Sequence, residues 1–123
     1  QLNQVIFTGS IPQDQLNAWY ASAHLFLCLS DHEGFCIPLL ESMLHHVPVL
    51  AYAAAAVPET LDGAGVLFHE KKYPLIAETM GEVIRNTVLR QAILAKQDQR
   101  LARYRQSDLS AELRRHLAPL LDR

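Results

Sequence analysis

Apolar positions along the chain fall into short continuous runs separated by helically spaced stripes. The runs "QVIFTG", "HLFLCLS", "VPVLAYA" and "GVLFH" are too short for helices and are bounded by Gly, Pro, Ser or Asp. They predict four strands. Between them, "PQDQLNAWYASA" predicts a helix with Pro12 in its first turn and Leu16, Trp19, Tyr20 and Ala23 on one side. "IPLLESMLHH" predicts a second helix opened by Pro38, and "VPETLDG" a short turn or helix closed by Gly63. From Tyr73 onward the pattern is helical. "YPLIAETMGEVIRNT" places Leu75, Ile76, Thr79, Met80, Val83 and Ile84 on one face. "VLRQAILAKQDQRLARY" is less regular, with Lys96 and Arg100 mixed among Leu89, Ile93 and Leu101. "SDLSAELRRHLAPLLD" has Ser107 or Asp108 as a natural N-cap and a leucine stripe at 109, 113, 117, 120 and 121, which reads as core.

Strands alternating with helices predict an α/β chain: a Rossmann-like, mainly parallel sheet with flanking helices. The uninterrupted apolar strands suit a sheet covered on both faces. In such sheets ligands bind beyond the carboxyl ends of the strands. The stretch "DHEGFCIPLLE", Asp31 to Glu41, lies at one of those ends, where a strand passes into a helix.

The composition agrees with a globular chain, at 50% hydrophobic and 20% charged over 123 residues. No apolar run approaches the roughly 20 residues of a membrane helix, and the start lacks the basic n-region of a signal peptide. Cys28 and Cys36 do not make a disulfide framework, which points to a reducing, cytoplasmic setting. Splitting the net charge of −2 changes the picture: residues 1–70 hold no Lys or Arg, and all 11 basic residues follow. The basic half mixes acids into helical patterns, so it reads as a solvated face and not a nucleic-acid surface.

Glu33 and Glu41 stand with seven residues between them. A helix starting near Cys36 turns unpaired N–H groups and the positive end of its dipole toward this stretch, which suits a phosphate or a sugar oxygen. Gly34 admits close backbone approach. Carboxylates accept hydrogen bonds from vicinal hydroxyls, so two of them around an anion-holding helix start fit a nucleotide-sugar. The blander alternatives are a capping glutamate and a solvent-facing one. The six histidines lack H-x3-H or HExxH spacing, so no metal site is expected of them. G-x-S-x-G, Walker and G-x-G-x-x-G patterns do not occur.

The stretch from Val5 to Phe68, with "VIFTGSIPQDQLNAWYASAHLFLCLSDHEGFCIPLLESMLHHVPVLAY" followed by "VPETLDGAGVLF", resembles the C-terminal, donor-binding half of a GT-B-fold glycosyltransferase. It is similar in particular to the retaining group 1 family, whose E-x7-E signature falls on Glu33 and Glu41. The resemblance implies that Glu33 contacts the donor sugar and assists at the anomeric carbon as the catalytic residue. Glu41 would hold the ribose hydroxyls. Gly34, Phe35, Cys36 and Ile37 would supply backbone N–H groups to sugar and diphosphate, and the loop Gly9, Ser10 and Ile11 would lie near the base. The implied substrate is a nucleotide-diphospho-sugar, with neither cofactor nor metal required and with the acceptor unidentified.

The family's basic diphosphate clamp has no counterpart in residues 1–70. The expectation is therefore a partial donor domain, 1–123, without the N-terminal acceptor domain or this domain's first strands, and inactive as an isolated fragment. The strand over Gln4–Thr8 would then pair with the next one, pair with another chain or be displaced, and an exposed strand or helix would offer a route to self-association. The full-length enzyme is expected to be cytoplasmic or membrane-peripheral. A thiol at a helix start has a lowered pKa, so Cys36 is expected to be alkylatable. The competing readings are a non-catalytic GT-B-derived binding or assembly module and a nucleotide-sugar epimerase.

Overall fold

The computed structural model describes residues 4–108 together with 110, 111, 114, 115, 117 and 118. The leucine stripe at 109–121 lies largely outside the described residues. The elements run α1 (Gln13–Ser22), β1 (Phe26–Cys28), α2 (Ile37–Leu44), β2 (Val49–Tyr52), α3 (Val57–Leu61), β3 (Val66–Phe68), α4 (Tyr73–Arg85) and α5 (Thr87–Gln106). Three parallel strands form one sheet in the order β1-β2-β3. Phe26 pairs with Val49 and Leu50 with Val66, so the three carboxyl ends lie side by side. This is the expected α/β arrangement.

The central strand β2 is buried along Val49, Leu50 and Ala51, whereas the flanking strands are half-covered. Leu39, Met43, Val57 and Leu61 fill the space against it together with Cys28, Cys36 and Leu101. Pro38 sits in the first turn of α2, where its missing N–H costs nothing. That helix closes with Val47 N–H on Ser42 O at 2.9 Å and His46 N–H on Met43 O at 3.0 Å. These two bonds form a Schellman motif with His46 at φ 54° in the position usually given to glycine. Gly65, at φ 67°, is a true requirement, because a Cβ there would stand 3.1 Å from Val49 O.

The strand predicted over 4–9 does not form. Val5, Ile6 and Phe7 are 50%, 67% and 89% exposed, and no ladder reaches them. Of the three outcomes expected for this segment, pairing with the next strand is the one the structure does not show. A continuous apolar run becomes a strand only when a neighbouring strand accepts its hydrogen bonds, and β1 pairs on one side alone among the described residues.

The helical half is more integrated than a solvated face. On α4, Ile76 and Val83 are buried, while Leu75 and Ile84 from the predicted stripe stay exposed. On α5 the inward row is Ile93, Gln97 and Leu101. The Gln97 carboxamide bridges the entry of β2, accepting from Val49 N–H and donating to Val47 O, both at 2.9 Å. Arginines from this half cap open carbonyls: Arg90 reaches His24 O, Arg100 reaches Thr60 O and Arg103 reaches Asp62 O. Among the described residues, no helix is long and apolar enough to cross a membrane.

Candidate functional site

The loop 29–36 carries the chain from the carboxyl end of β1 to the start of α2. Its last residue, Cys36, is the N-cap and adopts the left-handed conformation, φ 58° and ψ 64°. Among the described residues, the backbone N–H groups of Gly34, Phe35, Cys36 and Ile37 donate to no backbone acceptor. Cys36 and Ile37 are at the helix start, and Gly34 and Phe35 extend the row of open donors into the loop before it. Nothing lies within 4 Å of where a Gly34 Cβ would be, so this approach to the backbone is clear. The loop is fastened from behind by Thr60 Oγ1, which donates to Phe35 O at 2.6 Å. The exposed Phe35 ring leans on Tyr104, and Arg100 lies 5.7 Å from that second ring.

Glu33 is half-buried on the inner side of the loop. One of its carboxylate oxygens and the sulfurs of Cys28 and Cys36 lie within 4.8 Å of one another. Cys36 departs from the expectation of an activated thiol. It is 7% exposed, and burial, followed by the neighbouring Cys28 and Glu33, pushes its pKa up to about 12. The helix start does act on the sulfur, through the Leu39 backbone N–H, which lowers the pKa, but burial and the neighbouring Cys28 and Glu33 outweigh it.

Glu41, half-buried inside α2, is held by a residue that sequence spacing did not single out. Tyr20 donates its phenol hydrogen to Glu41 Oε2 at 3.0 Å. The Tyr20 ring is itself fixed, stacked on His45 at 5.4 Å and tilted against Phe26 at 6.1 Å. Burial, reinforced by the Glu41 carboxylate, raises the phenol to about 12, so it stays a donor throughout the neutral range. The signal available in the sequence was a tyrosine on the apolar face of α1, which reads equally as core.

Tyr20 also connects Glu41 to the loop at 9–11. An apolar groove of about 270 Å³ runs along Thr8, Ile11, Leu16, Trp19, Tyr20 and Phe26. Ile11 lines it, whereas Gly9, at φ 60°, and Ser10 lie exposed beside it. Neither glutamate lines the groove. A larger depression, about 330 Å³ along the outer side of α1, offers only Gln15, Ala18, Trp19 and Ser22 and no titratable group.

A cation does reach the motif, from just beyond the residues that lack one. Lys71 bonds Asp31 Oδ1 at 2.7 Å and lies 4.7 Å from the centre of the Tyr52 ring. The Lys71 hydrogen bond lowers the Asp31 pKa below its ordinary value, and the same contact raises that of Lys71. The structure thus groups Glu33, Gly34, Phe35, Cys36 and Ile37 in one loop and helix start, sets Glu41 behind them on Tyr20, and leaves the 9–11 loop at the far side of that ring.

The family described as Glycosyl transferases group 1 matches residues 1–106. The chain is similar to O-antigen chain mannosyltransferase B of Escherichia coli, 36% identical over 61 residues, which cover 50% of this chain and 16% of that protein. It resembles serotype-specific mannosyltransferase WbdA of Escherichia coli, 36% identical over 67 residues, 54% of this chain and 8% of the relative. It also resembles sulfoquinovosyl transferase SQD2 of Arabidopsis thaliana, 34% identical over 56 residues, 46% of this chain and 11% of the relative. These matches span about a sixth or less of those proteins' lengths. No solved structure matches the chain significantly.

Proposed function

The chain belongs to the group 1 glycosyl transferases, and from that premise we propose that it is the donor-binding part of an enzyme moving a sugar from a nucleotide-diphospho-sugar to a hydroxyl acceptor with retention. The observation that carries this reading is the open helix start between two carboxylates. The N–H groups at 34–37 donate to no backbone acceptor among the described residues, Glu33 precedes them, and Glu41 follows them inside α2, oriented by Tyr20. Diphosphate would lie on the N–H groups, with the dipole of α2 offsetting its charge. Glu33 would accept from sugar hydroxyls and Glu41 from the ribose. Stabilisation of the departing diphosphate by fixed dipoles supplies much of the rate in such a transfer. The acceptor would be held by a separate N-terminal domain, and neither metal nor cofactor is needed for this step. The relatives' names cite two sugars, mannose and sulfoquinovose, so the family likeness spans more than one donor.

Calorimetric titration of the protein with UDP, GDP and ADP tests the reading. One nucleotide should bind, and Glu41→Ala should weaken it by about tenfold, the loss of one to two good hydrogen bonds. Glu33→Gln should spare the nucleoside diphosphate and weaken the nucleotide-sugar. No binding by any of the three, with Glu41→Ala silent, would favour a non-catalytic assembly module instead.

A further inference from the structure

Cys28 ends β1 and Cys36 caps α2, eight residues apart in sequence, and the intervening loop folds back so that their sulfurs meet. A carboxylate oxygen of Glu33, from the middle of that loop, completes a triangle with every edge within 4.8 Å. Around a tetrahedral zinc ion, sulfur and oxygen ligands at about 2.3 and 2.1 Å stand about 3.6–3.8 Å apart. The three groups therefore need little movement to close on one ion. Two thiols and one carboxylate are a donor set for a borderline-soft divalent cation and not for Mg²⁺ or Ca²⁺.

The backbone supplies an independent observation. Cys36 is held at φ 58°, a region costing a non-glycine residue on the order of 1 kcal/mol. The Cys36 side chain is part of the buried cluster around β2, although glycine would adopt the angle freely. In this conformation the Cys36 sulfur lies beside that of Cys28. Both cysteines are buried and free, at 6% and 7% exposure, and only Glu33 opens toward solvent. An ion would enter past Glu33 and keep its fourth position on that side.

We propose that Cys28, Cys36 and Glu33 form a site for one thiophilic divalent cation of the Zn²⁺ class, and that its occupancy withdraws Glu33 from the donor sugar. Binding involves no redox change. Each thiol gives its proton to solvent as a metal–sulfur bond forms, and the carboxylate adds a metal–oxygen bond. The cation site stands on the geometry above, whereas its effect on the donor rests on the reading of Glu33 under Proposed function.

The test is a titration of the reduced full chain with Co²⁺ under anaerobic conditions. A sulfur-to-cobalt charge-transfer band in the near ultraviolet should rise with tetrahedral visible bands, saturate at one equivalent and be displaced by Zn²⁺. Cys28→Ser and Cys36→Gly should each weaken binding by about 100-fold, since each removes a ligand from a site of three. Cys36→Gly also relieves the backbone, so a folded protein is expected, and circular dichroism checks it. Absence of the charge-transfer band in tenfold excess Co²⁺, or its survival in Cys36→Gly, overturns the site. Nucleotide-sugar titration with and without Zn²⁺ is read separately. If the cation binds while donor affinity stays unchanged, the site holds and the role given to Glu33 fails.

Discussion

Replacing Gln97 by leucine removes, among the described residues, the one side chain that joins α5 to the entry of β2 by hydrogen bonds. The substitution keeps approximate volume at a residue only 1% exposed but leaves Val49 N–H and Val47 O without partners. Each buried backbone group so orphaned costs about 1–3 kcal/mol. The leucine side chain returns about 1 kcal/mol of apolar burial. The expected net loss is about 2–4 kcal/mol, a large part of a stability of about 5–15 kcal/mol. With a urea slope of about 2 kcal/mol/M, the unfolding midpoint should fall by about 1–2 M. Gln97→Glu separates the two bonds, because a carboxylate can accept from Val49 N–H but cannot donate to Val47 O. It too should destabilise. Gln99→Leu, two residues along on the exposed side, should stay within about 0.5 kcal/mol. Urea unfolding followed by far-ultraviolet circular dichroism reads all three. A Gln97→Leu midpoint equal to that of Gln99→Leu would refute the view that this carboxamide anchors the central strand.

Other outcomes follow from single contacts. His46→Gly should stabilise the fold by about 1 kcal/mol, since glycine adopts the left-handed C′ position without steric cost; a loss of thermal stability would contradict that. The Tyr20 phenol, raised from 10 to about 12 in the fold, lends stability that is complete below pH 10 and is lost as pH rises toward 12. Spectrophotometric titration should accordingly show late-ionising tyrosine absorbance that disappears in Tyr20→Phe. The Asp31 carboxyl, held below its ordinary value by Lys71, contributes stability above that value and loses it on acidification through its lowered pKa. Its NMR titration midpoint should move up in Lys71→Met, and an unmoved midpoint would dismiss the ion pair. Cys28 and Cys36, both buried, should resist iodoacetamide in the native protein and react fully in denaturant. Rapid native labelling of Cys36 would restore the exposed-thiol expectation.

Local pattern determined the alternation of strand and helix from Phe26 to Arg85, because each element there carries its own signal. Uninterrupted apolar runs mark β1, β2 and β3, prolines mark the starts of α2, α3 and α4, and helical spacing marks the rest. The spacing of Glu33 and Glu41 around a helix start was equally visible. Tertiary structure decided the remainder, because those features depend on partners distant in sequence. Val5–Thr8 has a strand's composition but no ladder to join, so composition could not make it a strand. Tyr20 lies 21 residues before Glu41, and Gln97 lies 48 residues beyond Val49. Neither contact has a periodicity to betray it. Cys28 and Cys36 are close neighbours in sequence, yet their sulfurs come within 4.8 Å only through the fold of the loop between them, which ends in a left-handed turn at Cys36. A polar side chain's role is fixed by the unpaired group that the fold sets opposite it, and that group becomes known only once the chain has closed.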